Sequence, residues 1–312
     1  MRVIQCYSSR FLGYYEPFRL DSLIASAIQW KSVFPEDYLV LTATSDVKHY
    51  AEVRLKGKKL PWDEIKVCEG YPMHDTEFYY DYTRFSVSAQ QTEPFIFLDP
   101  DVFVFKEILK NKKFQEAREN VLKGKEYYCT YIQSFRIPDE WIEEAKNYPE
   151  SVHEAVKDLD IDPIMTNTGF FIATPKVAKK MSEKAMEVQT CFARDWGEHK
   201  YCTSIHEYAS SVVTLAVLKA EGVSVNVFES DYLLHTCSCL LPPNHISKIC
   251  PEYFGTIFNP SEEIFARRLT VYREVWKKII ESGYISYGDF EKSFIRDWQD
   301  SKKGVKKGPI LV

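Results

Sequence analysis

Two aspartates near residue 100 have the spacing of a metal-binding pair. Asp99 and Asp101 follow a continuous apolar run at residues 95–98 and precede a second one at residues 102–105. Such a run is typical of a strand buried on both faces, and on extended backbone residues two apart point to the same side. Two carboxylates converging there repel each other unless a cation lies between them. A hard divalent cation would relieve that repulsion and could also hold the oxygens of a diphosphate.

A structural alternative stays open for the same residues. Pro100 fixes its own φ and biases Asp99 toward an extended conformation. In a turn, however, both aspartates could be solvated or could cap a helix. The buried strand before the pair and the second apolar run after it favour the metal site.

The stretch at residues 95–105 resembles the Asp-x-Asp motif of GT-A glycosyltransferases, which use nucleotide sugars. A second stretch, at residues 164–174, has an Asn-x-Gly followed by an aromatic-aliphatic strand, as in several GT-A families. The resemblance implies that Asp99 and Asp101 ligate Mn²⁺ or Mg²⁺, which binds the diphosphate of the donor. It also implies a UDP- or GDP-sugar as donor and a glycan or other hydroxyl compound as acceptor.

The second stretch supplies two candidate donor contacts. Asn167 could hydrogen-bond a sugar hydroxyl, because the resembled enzymes place this strand beside the sugar. Gly169 would let the backbone come close to a ligand. The alternative for both residues is a tight turn that enters a core strand.

Two arginines are candidates for contacting the phosphates. Arg10 follows the first strand, where the resembled fold has a loop that contacts the nucleotide; an exposed surface position is equally plausible. Arg84 lies on the helix before the Asp-x-Asp strand, where the resembled enzymes often offer a basic residue, and a guanidinium fork suits phosphate oxygens. The alternative for Arg84 is an ion pair with Asp81 or Glu77.

The resemblance assigns two more residues to the site. Many GT-A enzymes have an acidic residue near the start of a helix that follows the Asn-x-Gly strand, which makes Glu207 the candidate catalytic acid or base. The alternative is a first-turn glutamate that interacts with the helix dipole. The resembled enzymes often bring back a C-terminal histidine to complete the metal shell, and His235, after the last predicted strand, is best placed for this.

The elements that position these residues follow from hydrophobic periodicity. We predict strands at residues 3–7, 38–43, 65–68, 95–98, 127–132, 164–174 and 223–228, and helices at residues 17–33, 78–92, 175–193 and 204–218. Their alternation predicts an α/β fold with a GT-A-like, Rossmann-like and mostly parallel central sheet flanked by helices. Residues 1–260 would form this single catalytic domain, and residues 261–312 a C-terminal helical extension with a basic tail. Function is expected at the carboxyl ends of the strands.

Composition excludes some classes of protein. The chain has 312 residues, 45% of them hydrophobic, and a net charge of −5, which argues against a nucleic-acid partner. No apolar stretch reaches the ~18 residues that a transmembrane segment needs, and no secretory signal is evident. The eight scattered cysteines are interpreted as reduced core thiols, which predicts a cytoplasmic protein.

Two other functions remain open beside a metal-dependent glycosyltransferase. A nucleotidyltransferase that makes nucleotide sugars also joins metal to nucleotide phosphates, but the chain lacks a Gly-rich phosphate loop near its start. A non-catalytic carbohydrate-binding protein would use the 20 Tyr and 20 Phe residues to stack on sugars. Inverting transfer would need a base near the acceptor hydroxyl, and the sequence favours neither stereochemical course.

Overall fold

The computed structural model describes residues 1–7, 17–55, 58–68, 80–100, 102–104, 106–134, 143, 145–161, 165–196, 208–228 and 233–235. The predicted C-terminal extension at residues 261–312 lies outside these ranges. None of the helices in the described ranges is both long and apolar enough to cross a membrane.

Nine β-strands occur in this part of the chain. They are β1 (Arg2–Tyr7), β2 (Tyr38–Ala43), β3 (Glu64–Val67), β4 (Phe95–Leu98), β5 (Val102–Val104), β6 (Tyr127–Ser134), β7 (Met165–Ala173), β8 (Ser224–Phe228) and β9 (Leu233–His235). Branched and aromatic side chains, which favour the pleated sheet, dominate the central strands. Strands β2 and β4 have the predicted bounds.

Seven α-helices occur in the same part. They are α1 (Pro17–Val33), α2 (Ser45–Arg54), α3 (Tyr80–Ala89), α4 (Lys112–Leu122), α5 (Glu150–Val156), α6 (Pro175–Trp196) and α7 (Thr214–Ala220). Helices α1 and α6 both begin at a proline, which the first helical position tolerates because its amide has no helical partner. A 3₁₀-helix at Lys106–Lys110 precedes α4, and a π-helix at Tyr208–Val213 precedes α7.

Seven strands form one sheet in the order β3-β2-β1-β4-β7-β6-β8. Only β7 runs antiparallel to its neighbours; the other pairings in this sheet are parallel. The carboxyl ends of the six remaining strands therefore meet at one edge, which we call the carboxyl edge, and the opposite edge is the amino edge. The predicted α/β class with a mostly parallel sheet is confirmed.

Alternating side chains give the sheet two buried faces. The first face, with Ile96 and Phe170, packs against α1, α2 and α4. The second face, with Phe97 and Phe171, packs against α3, α6 and α7. Because helices cover both faces, the side chains on both sides of the central strands are buried, and the sequences of these strands are continuous apolar runs.

A second, two-stranded sheet lies next to the Asp-x-Asp stretch. In this ribbon β5 and β9 pair antiparallel, with Val102 opposite His235 and Val104 opposite Leu233. The apolar run at residues 102–105 is therefore not an extra strand of the main sheet. Residues 102–104 instead form one strand of this separate ribbon, directly after Asp101 in the chain.

The helix predicted at residues 204–218 differs from expectation. Its described part is a π-helix up to Val213, followed by α7. The Thr166 hydroxyl on β7 donates to the Ser211 carbonyl oxygen at 3.0 Å, which ties the wide turn to the sheet. π-helical turns occur often at functional sites. Sequence periodicity does not reveal one, because it depends on such a tertiary bond.

Candidate functional site at the carboxyl edge

The carboxyl group of Asp99 lies at the carboxyl edge on the second face of the sheet. Asp99 directly follows β4, whose residues are all buried. Because side chains alternate along a strand, Asp99 continues the row of Phe97, which faces α3. Asp99 is 3% exposed. A solvated turn, one of the sequence alternatives, therefore does not describe Asp99.

The backbone turns directly after Asp99. The Val102 amide donates to the Asp99 carbonyl oxygen at 3.2 Å, which closes a four-residue turn. Pro100 occupies the second position, where proline is favoured because its φ suits the turn. The backbone after Asp99 is therefore a turn, as in the structural alternative, and not a continued strand. Strand alternation does not decide where Asp101, which lies outside the described residues, points relative to Asp99.

Arg84 on α3 is an ionic partner of Asp99. Its Nη2 lies 3.2 Å from Asp99 Oδ2, and its Nη1 donates to Thr168 Oγ1 on β7 at 2.7 Å. The guanidinium also lies over the ring of Phe97, 5.8 Å from its centroid. Arg84 is 5% exposed, so one cation joins three elements inside the protein. Sequence reasoning did not foresee this pair, because the two residues lie on different elements.

Aromatic rings surround this ion pair on the second face. Phe97 and Phe171 stack with a centroid separation of 5.2 Å, and Phe171 stacks with Tyr128 at 5.6 Å. Burial raises the pKa of the Tyr128 hydroxyl, which therefore stays neutral. An apolar environment strengthens the interaction between Arg84 and Asp99 relative to water.

Strand β7 bulges where it approaches Asp99. Its register with β6 jumps from Phe171 opposite Thr130 to Asn167 opposite Tyr131. The Thr130 hydroxyl donates to the carbonyl oxygens of Asn167 and Phe170, at 2.5 and 2.7 Å, which share its single proton. The buried hydroxyl closes the bulge from inside the sheet.

Asn167 and Gly169, the two predicted donor contacts, lie on this bulge. Asn167 Oδ1 accepts from the Gly169 amide at 2.6 Å, and the Gly169 carbonyl oxygen accepts from the Asp99 amide at 2.7 Å. Asn167 is 4% exposed, and its Oδ1 shapes the backbone as the tight-turn alternative implies. The structure thus brings Asp99, Arg84, Asn167 and Gly169 together at one place.

His235 lies in a strand, and the prediction that it follows the last strand is wrong. It pairs with Val102 across the β5–β9 ribbon, so its backbone lies beside the residue that follows Asp101. Pairing between residues that lie 129 to 133 positions apart gives no signal in local periodicity. The structure describes the backbone of His235 but not its side chain.

Three other predicted site residues, Arg10, Asp101 and Glu207, lie outside the described residues. Within the described ranges, no three His, Cys, Asp or Glu side chains are grouped as a metal site. Of the three predicted metal ligands, Asp99 is the one whose side chain lies within the described residues. The carboxylate of Asp99 is a donor of the kind that Mn²⁺ and Mg²⁺ accept, and the His235 backbone lies beside the turn that begins at Asp99.

Several supporting residues were missed by sequence reasoning. Thr130, Thr168 and Ser26 all bond to the backbone or side chains around the site. A possible signal was an isolated polar residue inside a strand-like apolar run, as at Thr130 and at Gln5 of β1. Buried polar groups need partners, so such positions mark buried hydrogen bonds.

No protein-family model matches the sequence, and no curated protein matches it. Solved structures that resemble the chain include the galactosyltransferase LgtC in complex with donor and acceptor sugar analogues, 12% identical with a TM-score of 0.39, with 74% of each chain covered. The glycosyltransferase GlyE of Streptococcus pneumoniae is 9% identical, with a TM-score of 0.43 over 91% of this chain and 64% of GlyE.

A third similar structure, from Bacillus anthracis, is of a protein proposed to be a glucose-1-phosphate thymidylyltransferase, in complex with sucrose. It is 10% identical, with a TM-score of 0.41 over 88% of this chain and 96% of that one. Likenesses at this level of identity and TM-score do not assign the chain to a family. The functional conclusion has to come from the site itself.

Proposed function

We propose that the protein is a metal-dependent glycosyltransferase that moves a sugar from a nucleoside-diphosphate sugar to a hydroxyl of a glycan or other acceptor. The observation that carries the proposal is the buried Asp99, set at the carboxyl edge of a mostly parallel sheet and paired with Arg84 at 3.2 Å. In open α/β sheets, ligands bind outside the carboxyl ends of the strands. A buried, paired carboxylate at that edge is a functional-site candidate.

Asp99, Asp101 and His235 are the proposed ligands of Mn²⁺ or Mg²⁺. When bound, the cation would neutralise negative charge on the nucleoside diphosphate as it leaves. Asp99 is held for this role by the hydrogen bond that its backbone amide donates to the Gly169 carbonyl oxygen and by the Asp99–Val102 turn. The ribbon pairing of Val102 with His235 supports the inclusion of the histidine.

The remaining predicted residues are proposed to bind substrate. Arg84 and Arg10 would contribute positive charge toward the diphosphate, and Arg84 already has one nitrogen committed to Thr168. Asn167 and Gly169 would lie beside the donor sugar on the β7 bulge. Glu207, next in the chain to the π-helix that Thr166 holds against β7, would face the acceptor hydroxyl as general base or positioning group.

Nucleotide binding tests the metal-dependent part. UDP, GDP, CMP and their sugars would be screened by thermal shift with and without Mn²⁺. Ligand at about 100 times its dissociation constant stabilises the folded state by roughly 2.7 kcal/mol, so binding is readily seen. We expect a shift that requires Mn²⁺ and disappears with EDTA. Unchanged nucleotide affinity after chelation would remove the metal from the proposal.

Two variants make the same test residue-specific. Asp101→Asn removes a charge while keeping the shape and should abolish the Mn²⁺-dependent shift. Asp158→Asn, an exposed aspartate after α5, is the matched control and should behave as the wild type. An equal loss in both variants would contradict the assignment of Asp101.

Product analysis separates the rival functions. A glycosyltransferase releases nucleoside diphosphate from the sugar nucleotide, whereas a nucleotidyltransferase that makes sugar nucleotides releases pyrophosphate from a nucleoside triphosphate. A carbohydrate-binding protein turns over neither. Release of pyrophosphate alone, or no turnover of any donor in the presence of Mn²⁺, would overturn the proposal.

We also propose a reducing, cytoplasmic location. Cys68, Cys129 and Cys191 are free thiols in the described part of the chain, and burial raises the pKa of the Cys129 thiol. Free buried thiols are characteristic of reducing compartments. All eight cysteines should titrate in denaturant without reductant. Two or more stable disulfides in protein from its native source would indicate an oxidising compartment instead.

A further inference from the structure

A chain of buried side-chain hydrogen bonds crosses the first face of the sheet and ends at the Asp-x-Asp turn. Trp62 Nε1 donates to Gln5 Oε1 at 2.8 Å, and Gln5 Nε2 donates to Ser26 Oγ at 3.1 Å. Ser26 Oγ then donates to the carbonyl oxygen of Val102 at 2.6 Å. The three side chains, which we call the polar relay, are 4%, 0% and 1% exposed.

The polar relay lies in an otherwise apolar layer. Val3 and Tyr7 flank Gln5 on the same face of β1, and Leu23 and Trp30 belong to the same cluster on α1. Hydrogen bonds between buried polar groups add only modest net stability, and replacing both partners by apolar side chains of the same shape can be nearly neutral. A fully bonded polar chain in such a layer specifies one arrangement of the groups it connects.

The group at the end of the relay is the turn that carries the two aspartates. Val102 donates its amide to the Asp99 carbonyl oxygen at 3.2 Å and accepts the Ser26 hydroxyl at its own carbonyl oxygen. Both backbone polar groups of Val102 are thus engaged. The last residue of the Asp99–Val102 turn has no freedom to shift without breaking a buried bond.

A second side chain of α1, that of Gln29, also bonds to β5, the strand that begins at Val102. Gln29 Nε2 donates to the Val104 carbonyl oxygen at 3.0 Å. Carbonyl oxygens two residues apart on a strand point to the same edge, so those of Val102 and Val104 face α1 while that of Phe103 faces the β9 side. Helix α1 therefore stands where a further strand would pair and covers the outer edge of the ribbon.

We infer that Ser26, supported by Gln5 and Trp62, is a positioning residue that sets the orientation of the Asp99–Val102 turn toward a divalent cation. The inference rests on the proposed function, since it concerns the same cation. Ser26 touches neither substrate nor metal. It acts through the Val102 carbonyl oxygen, with Gln29 as a second anchor one turn further along α1.

Binding of Mn²⁺ tests the inference without requiring turnover. Mn²⁺ would be titrated into the protein, alone and with UDP, and free Mn²⁺ followed by electron paramagnetic resonance. Loss of an outer-shell partner typically weakens metal binding by 10- to 100-fold, so Ser26→Ala should raise the Mn²⁺ dissociation constant by at least about tenfold. Gln5→Met, which leaves the Ser26 hydroxyl in place, should have a smaller effect of the same sign.

Two controls separate positioning from general destabilisation. Ser182→Ala removes another fully buried serine hydroxyl, one on α6 that has no hydrogen-bond partner within the described residues. Arg118→Met destabilises the amino edge, where Arg118 pairs with Asp37. Both should keep the wild-type Mn²⁺ affinity. A loss in either control equal to that in Ser26→Ala would show that the effect is one of stability and overturn the inference.

The outcomes distinguish this inference from the proposed function. If the wild type binds Mn²⁺ and folded Ser26→Ala binds it equally well, the polar relay is structural and the proposed function stands. If the wild type binds no Mn²⁺ even with UDP, both are overturned. If Ser26→Ala does not fold, the Mn²⁺ affinity of Gln29→Met is measured instead. Weaker Mn²⁺ binding by Gln29→Met supports positioning of the turn through α1, and unchanged binding overturns the inference.

Discussion

Two arginine–aspartate pairs, each with a buried carboxylate, lie at opposite edges of the sheet and differ in construction. At the amino edge, Arg118 of α4 donates from Nη1 and Nη2 to the two carboxylate oxygens of Asp37, at 2.9 and 2.7 Å. At the carboxyl edge, Arg84 sends one nitrogen to Asp99 at 3.2 Å and the other to Thr168 at 2.7 Å. Both guanidinium groups lie over an aromatic ring.

The difference indicates different roles. A bidentate fork on one carboxylate is the strongest geometry for such a pair, and at the amino edge it holds α4 against the turn before β2. The α-amino group of Met1 adds a third contact to Asp37 at 2.8 Å. At the carboxyl edge, by contrast, one nitrogen of Arg84 pairs with Asp99 and the other bonds to Thr168, so the guanidinium fixes Asp99 relative to β7. We expect the first pair to govern stability and the second to govern ligand binding.

The largest expected difference comes from removing one charge at each edge. Asp99→Asn should weaken Mn²⁺-dependent nucleoside diphosphate binding by about 10²-fold or more, because loss of even an outer-shell partner costs 10- to 100-fold. Asp37→Asn should leave that affinity unchanged. Titration of nucleotide at fixed Mn²⁺ measures both. An equal loss of nucleotide affinity in Asp99→Asn and Asp37→Asn would contradict the assignment of ligand binding to the carboxyl edge alone.

A variant at Glu207, the residue that precedes the π-helix in the chain, sharpens the carboxyl-edge side of the comparison. As a general base, Glu207 should lose about 10²-fold in transfer rate on change to Gln, with donor binding and melting temperature unchanged. Donor hydrolysis and transfer should be measured separately, because water can replace the acceptor. Normal transfer with a stability loss of roughly 0.3–1 kcal/mol would leave only the helix-dipole role.

The amino-edge pair should affect stability alone. Arg118→Met leaves Asp37 without its bidentate partner at a position where Asp37 is 3% exposed. Breaking a buried pair by removing one member costs about 3–5 kcal/mol, and the Met1 contact should keep the loss near the lower figure. Urea unfolding measures the loss. Folded Arg118→Met with a reduced transfer rate would contradict the division of roles.

The smallest expected effect concerns a partly exposed pair near the same edge. Burial works to raise the pKa of Asp63, but the hydrogen bond from Lys31 and the Leu39 amide outweigh it, so the pKa lies below its ordinary value of 3.8. A carboxyl group whose pKa is lower in the folded protein than in the unfolded chain stabilises the folded state at pH values above the unfolded-state pKa. That stabilisation is lost as the pH falls through the folded-state pKa. Asp63→Asn should therefore cost up to about 1 kcal/mol near pH 7.

The pH dependence provides the check on Asp63. The difference in unfolding free energy between wild type and Asp63→Asn should shrink as pH falls below about 4, because the carboxylate then binds a proton in the unfolded chain before it does so in the folded protein. Urea unfolding between pH 3 and 7 measures it. A difference that stays constant over this range would mean that the ion pair with Lys31, 2.6 Å long, contributes nothing measurable.

Local patterns predicted many of the elements well. Helix α1 and strands β2 and β4 have the predicted bounds, because continuous apolar runs and helical periodicity are properties of a few neighbouring residues. The helix expected at residues 204–218 proved to contain a π-helix. The backbone after Asp99 proved to be a turn and not a continued strand; the hydrogen bond from the Val102 amide to the Asp99 carbonyl oxygen closes it, with Pro100 at a position where turns favour proline.

By itself, the sequence determined the α/β class and the buried strand before Asp99, since both follow from residue types and spacings within a short window. The candidate residues of the site came from the resemblance at residues 95–105 and 164–174. Tertiary structure decided which of those residues meet. The bond from Ser26 to Val102 spans 76 positions and that from Arg84 to Thr168 spans 84. Strand order, register and helix placement bring such residues together, and no local periodicity carries that information, because buried polar groups bond to whatever partner the folded chain supplies.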